Sequence, residues 1–231
     1  MLVTDRFVFL HLHKSGGTFV NAFLARFFPG ARHVGYHLPR ACIPESARAL
    51  PIFGLVRNPW DYYVSWYSFQ ADKAQPNALF RIASDAGRLD FAGTIANLVN
   101  LCEDPQRHAA LIDSLPEQFV NRGINLTRNC VRPLLGSGLG FYSFLFDRMF
   151  GAGSGTTFGR MESLRADLLA FLETHATVTG EMRDWIASAP PLNTSTHADF
   201  RTCYDARLRD LVARRDERVI ARFDYSFDLA S

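Results

Sequence analysis

A glycine-containing hexapeptide near the start of the chain carries the groups that hold an anion: His13-Lys14-Ser15-Gly16-Gly17-Thr18. Its lysine supplies an ammonium group, its serine and threonine supply hydroxyls, and its glycines let the main chain approach a ligand closely. Where such a turn starts a helix, the backbone N–H groups and the positive end of the helix dipole add to the attraction. The hexapeptide therefore predicts a phosphate or sulfate site. The alternative is an ordinary glycine turn with a surface lysine.

A second candidate is the segment that runs from Arg57 to Ser65. Arg57 directly follows a buried apolar run, and a guanidinium at such a place can grip a phosphate through two parallel hydrogen bonds. Ser65 comes eight residues later, which is about two turns into the next helix. The pair predicts a further phosphate site. The alternatives are an Arg57 paired with a carboxylate and a Ser65 that only occupies a helix face.

Both segments lie between a predicted strand and a predicted helix. Phe7–Leu12 is a compact apolar run that leads into the hexapeptide, and Ala49–Val56 is a continuous apolar run that leads into the second segment. Such runs are typical of parallel strands that are covered on both faces. Repeated strand-helix units favour a parallel sheet, which binds ligands at the carboxyl ends of its strands. We therefore expect both segments to lie at the same edge of one sheet.

The rest of the chain fits an α/β fold with a helical insertion. Residues 72–150 are mostly helical in pattern and carry no recognised motif. The shorter predicted elements are strands at 32–37 and 156–161, helices at 163–175 and 178–188, and one long Arg-rich helix over 204–223. Because α/β folds of 231 residues often remain one unit, we predict a single domain over residues 1–231.

Composition and spacing exclude several kinds of partner. The chain has 25 basic and 23 acidic residues and no long basic tract of the kind that binds nucleic acid regardless of sequence. Its four widely spaced cysteines match neither a metal site nor a disulfide framework, and His11 and His13 lack a third ligand, so we predict no metal. No apolar run is long enough to span a bilayer. We predict a cytoplasmic protein with no nucleic-acid partner and no membrane span.

At these segments the sequence resembles the sulfotransferases that use 3′-phosphoadenosine 5′-phosphosulfate (PAPS), above all the carbohydrate O-sulfotransferases and their bacterial relatives. LHLHKSGGTF is similar to that family's 5′-phosphosulfate loop, and FGLVRNPWDYYVSWY is similar to its 3′-phosphate motif. The resemblance is strong over residues 7–69 and weaker in FGRMESLRADLLAFL, LNTSTHADFRTCYD and FDYSFD. One departure is His13, since many relatives have proline before the loop lysine.

The resemblance implies a P-loop-like, three-layer α/β fold with a central, mostly parallel sheet. The residues that it assigns to the cofactor are Lys14, Ser15, Gly16, Gly17 and Thr18 for the phosphosulfate, and Arg57 and Ser65 for the 3′-phosphate. It implies transfer of a sulfuryl group to a hydroxyl of a carbohydrate or small molecule, with 3′-phosphoadenosine 5′-phosphate (PAP) leaving. The loop lysine is then also catalytic, because its ammonium stabilises charge on the leaving oxygen.

The acceptor hydroxyl needs a general base, because an alcohol becomes a competent nucleophile only as its proton leaves. In several relatives the base is a His or Glu that follows the second strand. The resemblance therefore points to His37 first, with Glu45 and His33 as alternatives. An unperturbed histidine titrates near neutral pH, which suits this role. The structural alternative is a histidine that only hydrogen-bonds a loop.

A polar loop near the end of the chain contains Asn193, Ser195, His197 and Arg201. A corresponding loop closes over the cofactor in relatives, and a plain solvated loop is the alternative here. Two other functions compete with sulfotransfer. A divergent small-molecule kinase would need magnesium and ATP, yet the pattern G-x-x-x-x-G-K-[ST] is absent. A non-catalytic module would bind a nucleotide or sulfated ligand without turnover.

Overall fold

The computed structural model describes residues 1–151, 155–192 and 199–228 of the chain. Five strands form one sheet: β1 (Leu2–Val3), β2 (Val8–Leu10), β3 (Arg32–His33), β4 (Ile52–Val56) and β5 (Thr156–Arg160). Their order is β3-β1-β2-β4-β5. β2, β4 and β5 are parallel, while β1 is antiparallel to both of its neighbours. Four strands therefore share one direction, which confirms an α/β fold with a mixed, mostly parallel sheet.

The helices of the described residues follow the predicted pattern in most places. They are α1 (Gly17–Phe27), α2 (Pro59–Ala71), α3 (Ala78–Ala83), α4 (Phe91–Val99), α5 (Pro105–Ser114), α6 (Arg128–Val131), α7 (Phe141–Phe150), α8 (Leu164–His175), α9 (Gly180–Ser188), α10 (Ala206–Arg215) and α11 (Glu217–Phe223). Short 3₁₀ helices include Arg40–Cys42 and Glu45–Ala47. Across the described part of the chain, no helix has the length and apolar character that crossing a bilayer requires.

The chain divides into two compact units. The first contains Met1–Arg57, Asn121–Asn125 and the described part of Asp147–Thr194, and it holds the whole sheet with α1, α8 and α9. The second contains the remaining described residues and is helical: it holds α2 to α6, most of α7, α10 and α11. The helical character expected for 72–150 is thus present. The single domain over 1–231 stays a prediction.

The core of the first unit lies between the sheet and two helices. Phe53 and Leu55 of β4 point to one face, as alternate residues of a strand must, and they are completely buried. They pack in one cluster with Phe23 of α1 and Phe171 of α8, and the ring centroids of Phe53 and Phe171 are 4.7 Å apart. Burial of side chains of this size contributes about 1.5–3 kcal/mol each. This packing fixes β4, and so the position at which the chain leaves it at Arg57.

The other face of β4 is packed more closely. Gly54 lies against the ring of Phe150 at the end of α7, so that a Cβ at Gly54 would come within 2.4 Å of that ring. The same ring contacts Phe158 of β5, with ring centroids 4.8 Å apart. A glycine in the centre of a strand here allows close approach of an aromatic side chain.

The start of α2 agrees with the sequence. The Asn58 side chain accepts a hydrogen bond from the Trp60 amide at 3.1 Å and caps the helix, and Pro59 occupies its first position. The strand expected at 32–37 is shorter, since only Arg32 and His33 pair, with β1. The strand expected at 156–161 ends one residue earlier, at Arg160.

The predicted long helix over 204–223 is wrong, because the chain breaks at Asp216 into α10 and α11. Asp216 is fully buried. Its carboxylate accepts hydrogen bonds from the Tyr63 hydroxyl and from the Ser143 amide, both at 2.7 Å. A buried carboxylate needs such partners, and the non-helical φ and ψ of Asp216, −104° and 17°, accompany this arrangement. Amphipathic spacing alone did not reveal the break.

Candidate anion-binding site

The turn between β2 and α1 has the backbone that the hexapeptide predicts. Lys14 and Gly16 both adopt left-handed φ values, 61° and 82°, and Gly16 is the N-cap of α1. The Phe19 amide bonds back to the Gly16 carbonyl at 3.0 Å, which closes the first turn of the helix. A lysine with positive φ is uncommon and costs about 1–3 kcal/mol of strain. The arrangement brings the ammonium-bearing residue to the start of a helix, where N–H groups point outward.

Packing against the rigid ring of His11 requires Gly17, and the left-handed φ of 82° favours glycine at position 16. A Cβ at Gly17 would lie 2.0 Å from the Cδ2 atom of His11, and one at Gly16 would lie 2.4 Å from Leu164 and 2.5 Å from Met161. Real Cβ atoms do not approach other atoms this closely. The sequence pattern predicts that these glycines allow close approach of a ligand. The structure adds another reason, since the turn packs directly on a histidine ring and on the start of α8.

Arg57 and the turn lie side by side. β2 and β4 are adjacent and parallel, so the turn and Arg57 follow the carboxyl ends of neighbouring strands. Nη1 of Arg57 donates a hydrogen bond to the Lys14 carbonyl at 3.0 Å, and the Arg57 residue is only 8% exposed. The turn and Arg57, the first residue of the second segment, therefore lie at the same edge of the sheet within the first unit. The rest of the second segment belongs to the second unit.

The hydroxyl-bearing residues differ in their surroundings. Ser15 is completely buried, and its hydroxyl is 3.5 Å from the His13 carbonyl, to which it donates. Thr18 is exposed in the first turn of α1. Ser65 is buried in α2, which belongs to the second unit. The joint role of Arg57 and Ser65 at one phosphate stays a prediction.

Three histidines gather next to the turn: His11, His13 and His37. The ring centroid of His37 is 4.6 Å from that of His11 and 5.4 Å from that of His13. Nδ1 of His37 lies 2.7 Å from the His11 carbonyl oxygen. A carbonyl oxygen can only accept, so Nδ1 carries the proton and Nε2 is the basic nitrogen. This tautomer leaves Nε2 with the lone pair that can accept a proton.

Burial keeps these histidines neutral. It lowers the pKa of His37 to about 4, with the Arg148 guanidinium acting in the same direction, while the hydrogen bond to the His11 carbonyl opposes the shift. Burial, and then the charge of a protonated His37, hold the pKa values of His11 and His13 well below the usual range. A backbone φ of 46° at His37 points to a constrained position. At neutral pH the His37 ring is therefore unprotonated, and its low pKa makes Nε2 a weaker base than that of an ordinary histidine.

The alternative bases are placed less favourably. His33 is exposed on the edge strand β3, with its ring 4.9 Å from the Tyr36 ring. Glu45 is exposed at the start of a 3₁₀ helix. Among residues 1–151, 155–192 and 199–228, no group of three or more His, Cys, Asp and Glu side chains is arranged to hold a metal ion.

Most of the late polar loop lies outside the described residues. Asn193, Ser195 and His197 are among the residues that the structure does not describe. Arg201 is described. Its guanidinium pairs with the Asp199 carboxylate at 2.9 Å and donates to the Phe227 carbonyl at 2.9 Å. These contacts give Arg201 a structural role within the second unit.

A cavity of about 380 Å³ adjoins the turn at Gly16. Phe19, Met161, Leu164 and Leu192 give it largely apolar walls. Phe19 is the first apolar residue after the hexapeptide, and this position was the available signal in the sequence for a role in the cavity. The cavity offers an apolar slot beside a candidate anion site, a combination that suits ligands with a flat ring and a charged group.

Comparison of the chain with protein-family models, curated proteins and solved structures finds no match in any of the three. The chemistry that the site can perform is therefore argued from the residues that form it. It combines two cationic side chains, a helix start, a neutral histidine with a basic Nε2 and an apolar cavity. Such a set can bind a phosphate-bearing or sulfate-bearing nucleotide and remove a proton from a second ligand.

Proposed function

We propose that this chain is a sulfotransferase that moves the sulfuryl group of PAPS to a hydroxyl acceptor and releases PAP. The observation that carries the proposal is the hydrogen bond from Arg57 to the Lys14 carbonyl, because it joins the two segments that resemble the family's cofactor motifs. The proposal includes a P-loop-like, three-layer arrangement around the mixed sheet. The acceptor is a carbohydrate or another small molecule.

The groups of the donor match the surroundings of the turn. The 5′-phosphosulfate would lie at the start of α1, near Lys14 and the amides of Gly16, Gly17 and Thr18, and Arg57 would hold the 3′-phosphate. The apolar cavity beside Gly16 would accept the adenine, with Phe19 as one of its walls. The contribution of Ser65 to the 3′-phosphate remains the prediction made from the sequence.

The residues of the chain then have distinct tasks. His37 takes the acceptor proton at Nε2, since its Nδ1 hydrogen is committed to the His11 carbonyl. Lys14 stabilises the negative charge that develops on the bridging phosphate oxygen. When bound, PAPS supplies the sulfuryl group, whose bond to that oxygen breaks as the acceptor oxygen bonds to sulfur. Arg57 binds both the turn and the 3′-phosphate end of the cofactor, which keeps the sulfuryl group aligned with the acceptor oxygen. This alignment raises the rate of transfer.

The first test is calorimetric titration of the chain with PAP and, separately, with ATP and magnesium. Because Arg57 and the turn are proposed to bind two separate anionic groups, we expect PAP to bind at least about tenfold more tightly than ATP. Equal or tighter ATP binding that depends on magnesium would favour a kinase instead and overturn the proposal.

The second test begins with an acceptor screen that uses labelled PAPS. It then compares the turnover of alanine variants at the only two lysines of the chain. Lys14→Ala should lower kcat about 100-fold to 1,000-fold, the usual loss when a group that stabilises transition-state charge is removed. Lys73→Ala is the matched control, because Lys73 is exposed and stacks over the Phe69 ring at 4.0 Å. Tight PAP binding without turnover on any acceptor would point to the non-catalytic module.

A further inference from the structure

The first unit contains a second cavity, of about 480 Å³, with an unusual share of arginine in its walls. Arg40, Arg48 and Arg148 line it together with the apolar side chains of Ile43 and Phe150. The described residues that line it include no acidic side chain. Neither cofactor motif contributes to this cavity, so the proposed function leaves it without an assigned ligand.

Two of the three arginines are held in place by hydrogen bonds. Arg148 donates from Nη2 to the Asn125 carbonyl at 2.9 Å and from Nη1 to the His37 carbonyl at 3.4 Å. Arg40 donates from Nη1 to the Thr156 hydroxyl at 3.4 Å. Fixed guanidinium groups lose less conformational entropy on binding a ligand than mobile ones. These contacts therefore prepare the cavity for a ligand that arginine recognises.

The cavity is linked to the candidate base. Arg148 lines the cavity and also hydrogen-bonds the main chain of His37. Arg40 follows His37 by three residues and belongs to the 3₁₀ helix Arg40–Cys42. A molecule anchored in the cavity is therefore held by the same segment that carries His37.

The chemistry of the walls selects a class of ligand. Guanidinium groups match the geometry of carboxylate, sulfate and phosphate oxygens and bind them through paired hydrogen bonds. Three like charges around one cavity repel one another, and an anion among them relieves that repulsion. The apolar walls of Ile43 and Phe150 suit the C–H faces of a ring that carries the anion.

We propose that this cavity binds an oxoanion group of the acceptor, so that the acceptor is a hydroxyl compound with a sulfate or carboxylate, such as an acidic sugar. The assignment of this molecule as acceptor rests on the proposed sulfotransferase function. Binding of the anion does not require PAPS or turnover, and the two proposals can therefore fail separately.

The experiment uses three sugars that share a ring, namely glucose, glucuronate and glucose 6-sulfate, titrated without nucleotide. Binding is followed by methyl NMR of isoleucine side chains, because Ile43 lines the cavity and Ile95 is buried in the second unit. Ile43→Val identifies the Ile43 signal. We expect both charged sugars to shift the Ile43 signal and to bind at least about tenfold more tightly than glucose. Ile95 should not shift.

Arg48→Ala tests the cavity itself, since Arg48 is exposed and its loss leaves the contacts of Arg40 and Arg148 in place. It should weaken the charged sugars about tenfold and leave PAP affinity unchanged. Arg81→Ala on α3 is the matched control. Equal binding of glucose, unchanged affinity in Arg48→Ala, or shifts that bypass Ile43 would each overturn the anionic-acceptor proposal. Failure to bind PAP would overturn the proposed function alone.

Discussion

Nη1 of Arg57 donates a hydrogen bond to the main-chain carbonyl oxygen of Lys14, at 3.0 Å and across 43 positions of sequence. Lys14 has a left-handed φ of 61°, so the contact stabilises a backbone conformation that lysine rarely adopts. Arg57 thus contributes to the shape of the turn as well as to its charge. Replacement of Arg57 is expected to change the turn and the anion affinity together.

Arg57→Ala should weaken PAP binding about 10-fold to 100-fold, the range expected for loss of a charge-assisted hydrogen bond. Arg57→Lys should fall between this variant and the wild type, because lysine keeps the charge and lacks the guanidinium fork. At saturating PAPS, Arg57→Ala should reduce turnover far less than Lys14→Ala does. Calorimetry with PAP measures the affinities, and Arg6→Ala serves as an exposed arginine control. Wild-type affinity in Arg57→Ala would contradict the assignment.

Gly17→Ala should destabilise the first unit by about 1–3 kcal/mol, the usual result of overpacking. The Cβ atom of the new alanine would overlap with the His11 ring, because an ideal Cβ at this position lies far inside the contact distance of Cδ2 of His11. The displaced ring should also disturb His37, whose Nδ1 bonds to the His11 carbonyl. Chemical unfolding measures the stability change.

Gly30→Ala provides the matched control for this substitution. A Cβ at Gly30 meets nothing within 4 Å, so its effect should stay within about 0.5 kcal/mol. Equal stabilities of the two variants would show that the contact between Gly17 and His11 does not constrain the turn.

The turn could be predicted from the sequence because its information is local. A strand, a lysine, two glycines and a helix are adjacent in the chain, and a parallel sheet then brings Arg57 to the same edge. The packing of Gly17 on His11 depends on side-chain direction, which spacing does not give. The neutral state of His37 depends on burial and on the charges of distant residues such as Arg148. These features required coordinates.

In the fold, too, local features could be predicted from the sequence and features that depend on distant contacts could not. Long apolar runs predicted β2 and β4, whereas β1 has only two residues and pairs antiparallel with both neighbours, too little for a sequence pattern to reveal. The break at Asp216 was missed because its cause lies in Tyr63 and Ser143, more than 70 positions away in the chain.

The imidazole of His37 should titrate near pH 4 in the ligand-free protein, because burial lowers its pKa to about 4. NMR titration of the histidine ring signals measures this, with His37→Gln identifying the signal. The half-buried ring of His175 in α8 packs against Phe171 and gives a second histidine signal for comparison. A His37 midpoint near the ordinary value of about 6.5 would show that burial does not lower its pKa.

The same shift predicts how stability depends on pH. The folded pKa of His37 lies below the unfolded value, so the folded state binds fewer protons. Its contribution to stability is present above about pH 6.5 and is lost as pH falls through about 4. His37→Gln should therefore lose less free energy of unfolding on acidification than the wild type. Parallel stability curves for the two proteins between pH 7 and 4 would rule this out.

Asp216 should have the opposite effect in the second unit. Burial raises the pKa of its carboxyl to about 6, against hydrogen bonds from Tyr63 and Ser143 that lower it. Because the folded pKa exceeds the unfolded value of 3.8, the stabilising contribution is present below pH 3.8 and is lost as pH rises through about 6. Asp216→Asn should therefore gain stability relative to the wild type as pH rises from 4 to 7, by up to about 3 kcal/mol.

Asparagine keeps the shape of Asp216 and an oxygen that can accept a hydrogen bond from the Ser143 amide. Any change in the free energy of unfolding that does not depend on pH leaves the slope of the stability difference against pH unchanged. The measurement is urea unfolding of both proteins at several pH values. Asp113→Asn on the exposed side of α5 is the control for the loss of a surface carboxylate. If the difference for Asp216→Asn is flat, the buried carboxylate is fully compensated by its two donors, and its position at the break between α10 and α11 carries no electrostatic cost at neutral pH.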